Sequence, residues 1–269
     1  MDGPGAIALF GSGETSPSGR KVHEHLLAQV RAPAKLAILD TPAGFQPNVD
    51  LVAAKIQQFF ERHLQNFRPA VFIVKARGKG DAFDPDDPAL VDALLDATYI
   101  FAGPGSPTYA ARHLLGTRAL ANLIARHRAG ATLALASAAA IAAGSHVLPV
   151  YEIFKAGHAL HWAPGLSIFA AYGLDLAIVT HWNNREGGAE LDTSRCYMGE
   201  ARFRRLRALL PPTAAVLGLD EHTACIIDFA AGSCRVMGLG TVTILACATE
   251  TCYRSGESFH VDDLRCRHS

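Results

Sequence analysis

Ala131-Thr-Leu-Ala-Leu-Ala-Ser137-Ala-Ala-Ala-Ile-Ala-Ala-Gly144 is the stretch around which the chain is organised. Its first six residues, ending at Ala136, read as a short buried strand, and the seven after Ser137 read as a helix of small residues closed by glycine. The single polar side chain between the two is Ser137. A hydroxyl at a strand-to-helix turn is positioned for nucleophilic attack. A serine in an alanine-rich helix can also simply bond back to a carbonyl one turn earlier, so the decision rests on what the rest of the chain brings to it. The full glycine-x-serine-x-glycine elbow is absent, because Leu135 and Ala139 occupy the two glycine positions.

Outward from this stretch, strands and helices alternate. Ala6–Phe10, Lys35–Asp40, Ala70–Val74 and Thr98–Ala102 are short apolar runs that read as strands. Helical periodicity separates them over 20–31 and from Asn48, a candidate cap, to about Gln65, and again after Asp87. Two more helices, near Thr108–Leu115 and Arg118–His127, lead into the strand before Ser137. Such alternation predicts parallel βα units, whose functional loops gather at the carboxyl ends of the strands. The loops at Gly11, Thr41, Gly103 and Ser137 then share one edge. Further on, Asp175–Thr180 reads as a strand running into His181, and a helix from about Met198 to Leu210 stops at Pro211-Pro212. Ala214–Leu219, Ala224–Phe229, Cys234–Met237 and Val242–Ala246 read as short strands that extend the same sheet in antiparallel fashion. One domain is expected over 1–269, with an irregular tail over 254–269.

The 269 residues carry 25 basic and 25 acidic side chains, a formal charge of zero, and 49% are hydrophobic. A core of good size is therefore available, whereas nucleic acid and membrane surfaces call for a basic excess that is missing. No apolar run approaches the roughly 20 residues of a membrane span, and the N-terminus lacks a signal-peptide layout, so a cytoplasmic location is expected. The six cysteines fall in the last third without paired Cys-x-x-Cys spacing, which argues for reduced thiols. His158 and His161 have no acidic or cysteine partner at metal-ligand spacing. Gly11-Ser-Gly-Glu14 lacks the rest of a dinucleotide fingerprint, and Gly78-Lys-Gly80 lacks the phosphate-loop spacing. Neither a metal nor a cofactor is expected.

The partners for Ser137 come from the strand ends. His181 follows the strand at 175–180 and is a candidate base. Glu152 is an isolated acid within Val150-Tyr-Glu-Ile-Phe154, and a buried carboxylate requires a hydrogen-bonding partner. A histidine in need of orientation is one such partner. Glu221, after a strand in Asp220-Glu-His222, is the alternative acid.

Phe101-Ala-Gly-Pro-Gly-Ser106, Ala136-Ser-Ala-Ala-Ala140, Glu152, His181 and Gly199-Glu-Ala-Arg202 together resemble the serine peptidase family of dipeptidase E and cyanophycinase. The resemblance implies a class I glutamine amidotransferase-like, flavodoxin-like three-layer sandwich, with a mostly parallel central sheet and antiparallel additions near the C-terminus. The family's Gly-Thr-Ser-Ala-Gly-Ala elbow is matched by Leu135-Ala-Ser137-Ala-Ala139-Ala140. It implies Ser137 as nucleophile, His181 as base and Glu152 as orienting acid, with an oxyanion hole from the N–H groups of Gly105 and Ala138. Arg202, matching an arginine that reads an acidic side chain, and Asn183 beside the histidine are the implied substrate contacts. The implied substrate is a peptide or isopeptide amide, the relatives often form dimers, and a non-catalytic protein binding a small metabolite or partner in the same cleft is the alternative. Pro104 removes one donor from the glycine loop, and the segments Phe154–Leu174 and Gly187–Cys196 are longer than a minimal dipeptidase needs.

Overall fold

The computed structural model describes residues 3–30 and 32–266. In chain order the strands and α-helices of the first half are β1 (Ile7–Phe10), α1 (Pro17–Leu27), β2 (Lys35–Leu39), α2 (Val49–His63), β3 (Ala70–Val74), α3 (Pro88–Val91), β4 (Tyr99–Ala102), α4 (Pro107–Leu114), α5 (Arg118–Arg128), β5 (Thr132–Ala136) and α6 (Ala138–Ala143). The second half supplies β6 (His146–Val147), α7 (Val150–Phe154), β7 (Ala163–Pro164), β8 (Leu176–Val179), α8 (Gly199–Arg207), β9 (Ala215–Leu219), β10 (Thr223–Asp228), β11 (Ser233–Gly238), β12 (Thr241–Ala246), β13 (Thr249–Arg254) and β14 (Ser258–His260). The protein has a mixed α/β, flavodoxin-like fold.

The larger sheet has eight strands in the order β14-β11-β10-β1-β5-β4-β2-β3. Strand β1 runs parallel to β5, with Phe10 opposite Ala136, and antiparallel to β10, with Phe10 opposite Ala224. Because β1 and β5 are buried on both faces, they read as unbroken apolar runs. Their side chains still alternate: Ile7 and Leu9 enter one core, Ala8 and Phe10 the other. One face is covered by α1 and α2 through Val22, Leu26, Ile56 and Phe60. The other receives α4, α5 and α6 and the smaller sheet. Capping follows the sequence at Ser16, Asp87, Ser106 and Thr117, whose side chains accept from backbone N–H groups of the following turn. Asn48 precedes α2 but makes no side-chain cap bond, its backbone being held outside the extended region at φ −103° and ψ 20°.

The second half departs from the expected single sheet. A separate six-stranded sheet runs β13-β12-β9-β8-β6-β7. Within it β8 and β9 are parallel, from Leu176 opposite Ala215 to Val179 opposite Gly218, while β12 and β13 add on antiparallel. After β9 the short strands are shared out in pairs, β10 and β11 to the larger sheet and β12 and β13 to the smaller, before β14 returns to the larger, and no local pattern records that choice. The region beyond Arg254 is ordered to Cys266 rather than irregular. Strand β14 pairs with β11, and His260 with Asp263 forms a capping box over the next turn; positions 267–269 of the expected tail lie outside the described residues, as does Arg31 of the first expected helix. Among the described residues no helix is long and apolar enough to cross a membrane.

Candidate active site

Strand β5 ends at Ala136, and the chain turns at once into α6. Ser137 donates its N–H to the Phe10 carbonyl at 3.0 Å as a last rung of the β1–β5 pairing, and its own carbonyl accepts from Ile141 N–H at 3.0 Å as the first of the helix. Doing both requires φ 50° and ψ −110°, a backbone state that costs an L-residue about 1–3 kcal/mol. The alanines make the turn possible without the elbow glycines. Ala136, Ala138, Ala139 and Ala140 are all buried with nothing beyond Cβ to resist the close approach of strand and helix.

His181 meets Ser137 from the second sheet. Its N–H lies 3.3 Å from the Gly11 carbonyl, splicing the end of β8 to the end of β1. The ring Nε2 lies 3.0 Å from Ser137 Oγ. The other ring nitrogen, Nδ1, lies 2.9 Å from Glu221 Oε1. A carboxylate accepts only, so Nδ1 carries the proton and Nε2 is left as the acceptor for the serine hydroxyl. The hydrogen bond from His181, followed by one from Asn184, holds the Glu221 carboxyl below its ordinary range against the opposing effect of partial burial.

Glu152 is not brought to His181. It lies on α7, where its Oε1 accepts the Thr108 hydroxyl at 2.5 Å, and its buried Oε2 meets no donor among the described residues. The order serine, glutamate, histidine is satisfied in sequence, but α7 turns the side chain toward α4. Glu221 takes the place beside the imidazole because β9 runs parallel to β8, and the chain leaves both strands at the same edge. Two residues fix it there, Asn184, which sequence reasoning passed over as loop, and Asn183, which it cast as a substrate contact. Asn184 Nδ2 donates to Glu221 Oε1 at 2.9 Å, and Asn183 Oδ1 accepts the Glu221 N–H at 2.8 Å. Asn183 is thus a backbone clamp for Glu221 rather than a wall of the cleft.

Ser137 and His181 open on a pocket of about 190 Å³ lined also by Gly105, Ala138, Tyr151, Phe154, Lys155 and Tyr197. Gly105 and Ala138 thus border the same pocket as Ser137. At Gly105 a side chain is excluded, since a Cβ would fall 1.8 Å from the Pro42 carbonyl oxygen. Arg202 is absent from this pocket. Its Nε donates to the Met198 carbonyl at 2.7 Å and a terminal nitrogen to that of Tyr197 at 2.9 Å, so the guanidinium braces a turn. That turn is unusual: Arg195, Cys196 and Tyr197 all have φ between 56° and 68°. It packs against His181, with Cys196 N–H 3.2 Å from the His181 carbonyl, the Tyr197 ring 6.4 Å from the imidazole, and Arg195 stacked 4.0 Å from the Trp182 ring. Gly11-Ser-Gly-Glu14 is also part of the surroundings. Ser12 Oγ accepts the His222 N–H at 3.1 Å, and burial raises the pKa of Glu14, opposed by its own backbone N–H and by nearby His181 and His222.

No protein-family model matches the chain, and no curated protein sequence matches it significantly. Solved structures do match in fold, and those described next are α/β proteins named as peptidases. A peptidase from an acI-B1 actinobacterium superposes with a TM-score of 0.75 at 22% identity, over 96% of this chain and 98% of that one. A Listeria monocytogenes EGD-e structure, assigned provisionally to peptidase E, superposes with a TM-score of 0.54 at 12% identity, over 93% and 98% of the two chains.

Proposed function

We propose that the protein is a serine hydrolase that cleaves a peptide or related amide through an acyl-enzyme on Ser137. The observation that carries this reading is the unbroken relay Ser137 Oγ, His181 Nε2, His181 Nδ1, Glu221 Oε1, with steps of 3.0 and 2.9 Å. The peptidases that share the fold support the amide as substrate. In the first half-reaction His181 Nε2 takes the hydroxyl proton as Oγ attacks the carbonyl carbon. Glu221 stabilises the imidazolium that results and keeps the ring from turning. The N–H groups of Gly105 and Ala138 receive the developing oxyanion, a contribution of about 3–4 kcal/mol in comparable sites. The imidazolium then protonates the departing amine, and water repeats the sequence to release the acid. The distance of 3.0 Å between Ser137 and His181 favours this reading over a cleft that only binds a metabolite.

The test is hydrolysis of a panel of short peptides and simple esters by pure protein and by Ser137→Ala. The expected result is turnover of at least one substrate and its loss by a factor of about 10³ or more in the variant. Equal turnover by the two proteins would remove Ser137 from the reaction.

A further inference from the structure

A second cavity, of about 750 Å³, adjoins the one that holds Ser137. The two share a wall. Along the chain entering α4, Gly105 and Pro107 line the nucleophile's pocket, while Ser106 and Thr108 line the neighbour. Tyr151 borders both, and its hydroxyl donates to the Gly105 carbonyl at 3.3 Å. The larger lobe thus begins about one residue's length, some 3.5 Å, from the groups that would hold the reacting carbonyl. Its volume falls in the range of about 300–1,000 Å³ usual for ligand sites, whereas the nucleophile's pocket falls below it.

The lobe's surface is what selects its occupant. Among the described residues eight large hydrophobic side chains are left exposed, and three of them, Phe45 (48%), Leu115 (45%) and Tyr151 (46%), line this single lobe. Tyr109 joins them, its ring 5.2 Å from that of Phe45. Apolar side chains gathered in a concavity beside a reactive centre mark a binding surface, whereas scattered ones need no explanation. Most charged atoms on its rim are already engaged, the exception being the buried Oε2 of Glu152. Lys79 Nζ donates to the Leu115 carbonyl at 2.6 Å, Arg112 lies 5.6 Å from the Tyr109 ring, and Glu152 accepts from Thr108.

We propose that this lobe is a specificity subsite for a bulky apolar side chain, aromatic or large aliphatic, on the substrate residue next to the one bonded to Ser137. Tyr151 divides the two sites and Phe45, Tyr109 and Leu115 form the contact surface. The inference rests on Ser137 being the reactive residue, and it adds a selectivity that the relay itself does not contain.

The experiment uses pairs of short blocked peptides that differ only by phenylalanine or glycine at one position, one pair for each position along the peptide. Each peptide is scored by the concentration that halves the rate of fluorophosphonate labelling at Ser137. The expected result is one position at which phenylalanine protects at a concentration at least about tenfold lower than glycine. In a Phe45→Ala, Leu115→Ala double variant that ratio should fall to about threefold or less. The ratio is taken within each protein, so a general change in reactivity cancels. Phenylalanine and glycine equal at every position in the unaltered protein, or a ratio unchanged in the double variant, would overturn the proposal. Complete failure of Ser137 to label would count against the hydrolase reading instead. Calorimetric titration of the same peptides then reads the lobe directly, with the same ratios deciding.

Discussion

At the scale of single residues, the decisive positions are Ser137, His181 and Glu221, and they differ in how much of their role local sequence contains. Ser137 was legible because a strand and a helix of alanines isolate one hydroxyl between them. His181 was legible because it ends an apolar strand. Glu221 was visible only as an alternative to Glu152, since choosing between them requires knowing that β9 lies beside β8 and that α7 faces α4. The choice is measurable. Glu221→Gln keeps the size of the side chain but removes the charge that fixes the imidazole, and a loss of about 10²–10⁴ in kcat for a simple ester is expected. Glu152→Gln should change the same kcat by no more than about threefold. The Glu221 carboxyl, held low first by the His181 hydrogen bond, gives its stabilisation in full above the ordinary carboxylate pKa of about 4.3 and loses it as pH falls through the lowered value. Acid titration of the melting temperature should therefore lose a component in Glu221→Gln on that side of pH 4.3. Strain is testable at Ser137 as well. With φ 50° and ψ −110°, Ser137→Gly should be more stable to denaturant than Ser137→Ala by about 1 kcal/mol, although both lack the hydroxyl.

At the scale of elements, the β5–α6 turn and the left-handed turn Arg195–Tyr197 show what pattern reading reaches and where it stops. The first was readable because strand and helix periods meet at one residue. The second was readable only as a polar loop. Three consecutive side-chain-bearing residues with positive φ carry a cost of about 1–2 kcal/mol each, and no propensity favours them. They persist because Arg195 stacks on Trp182, donates to its carbonyl at 3.1 Å and pairs with Glu200 at 3.1 Å. Arg195→Ala removes all three contacts. Limited proteolysis should then cut more readily between 187 and 197, and the turn that packs against His181 should lose its hold, lowering turnover. Arg202, which the family resemblance cast as a reader of acidic substrates, is committed to the same turn by its bonds to Met198 and Tyr197.

At the scale of the whole molecule, the first half of the chain announced its βα order because its central parallel strands, buried on both faces, are nearly continuous apolar runs. The second half did not announce that its strands divide between two sheets, because a short buried strand looks the same in either. The division is what makes the site: β5 of one sheet brings the serine, and β8 and β9 of the other bring the histidine and its glutamate. Stability couples to pH through the opposite face of the larger sheet. His23 is fully buried there, its ring stacked on Phe10 and edge-on to Phe60, and burial lowers its pKa to about 3. The folded protein keeps this imidazole neutral, while the unfolded chain binds a proton below about pH 6.5. The contribution of His23 is therefore whole above pH 6.5 and falls by about 1.4 kcal/mol per pH unit as pH drops toward 3. Urea unfolding at pH 7 and pH 5 should show a loss of about 2 kcal/mol that a His23→Gln variant does not share.

The relay of Ser137, His181 and Glu221 is tested most directly by fluorophosphonate labelling with the modified peptide mapped by mass spectrometry. The adduct is predicted on Ser137, forming about 10²-fold or more slowly in His181→Ala and in Glu221→Gln but within about threefold of normal in Glu152→Gln. An adduct on another residue, or a Glu152→Gln variant slowed as much as Glu221→Gln, would contradict it.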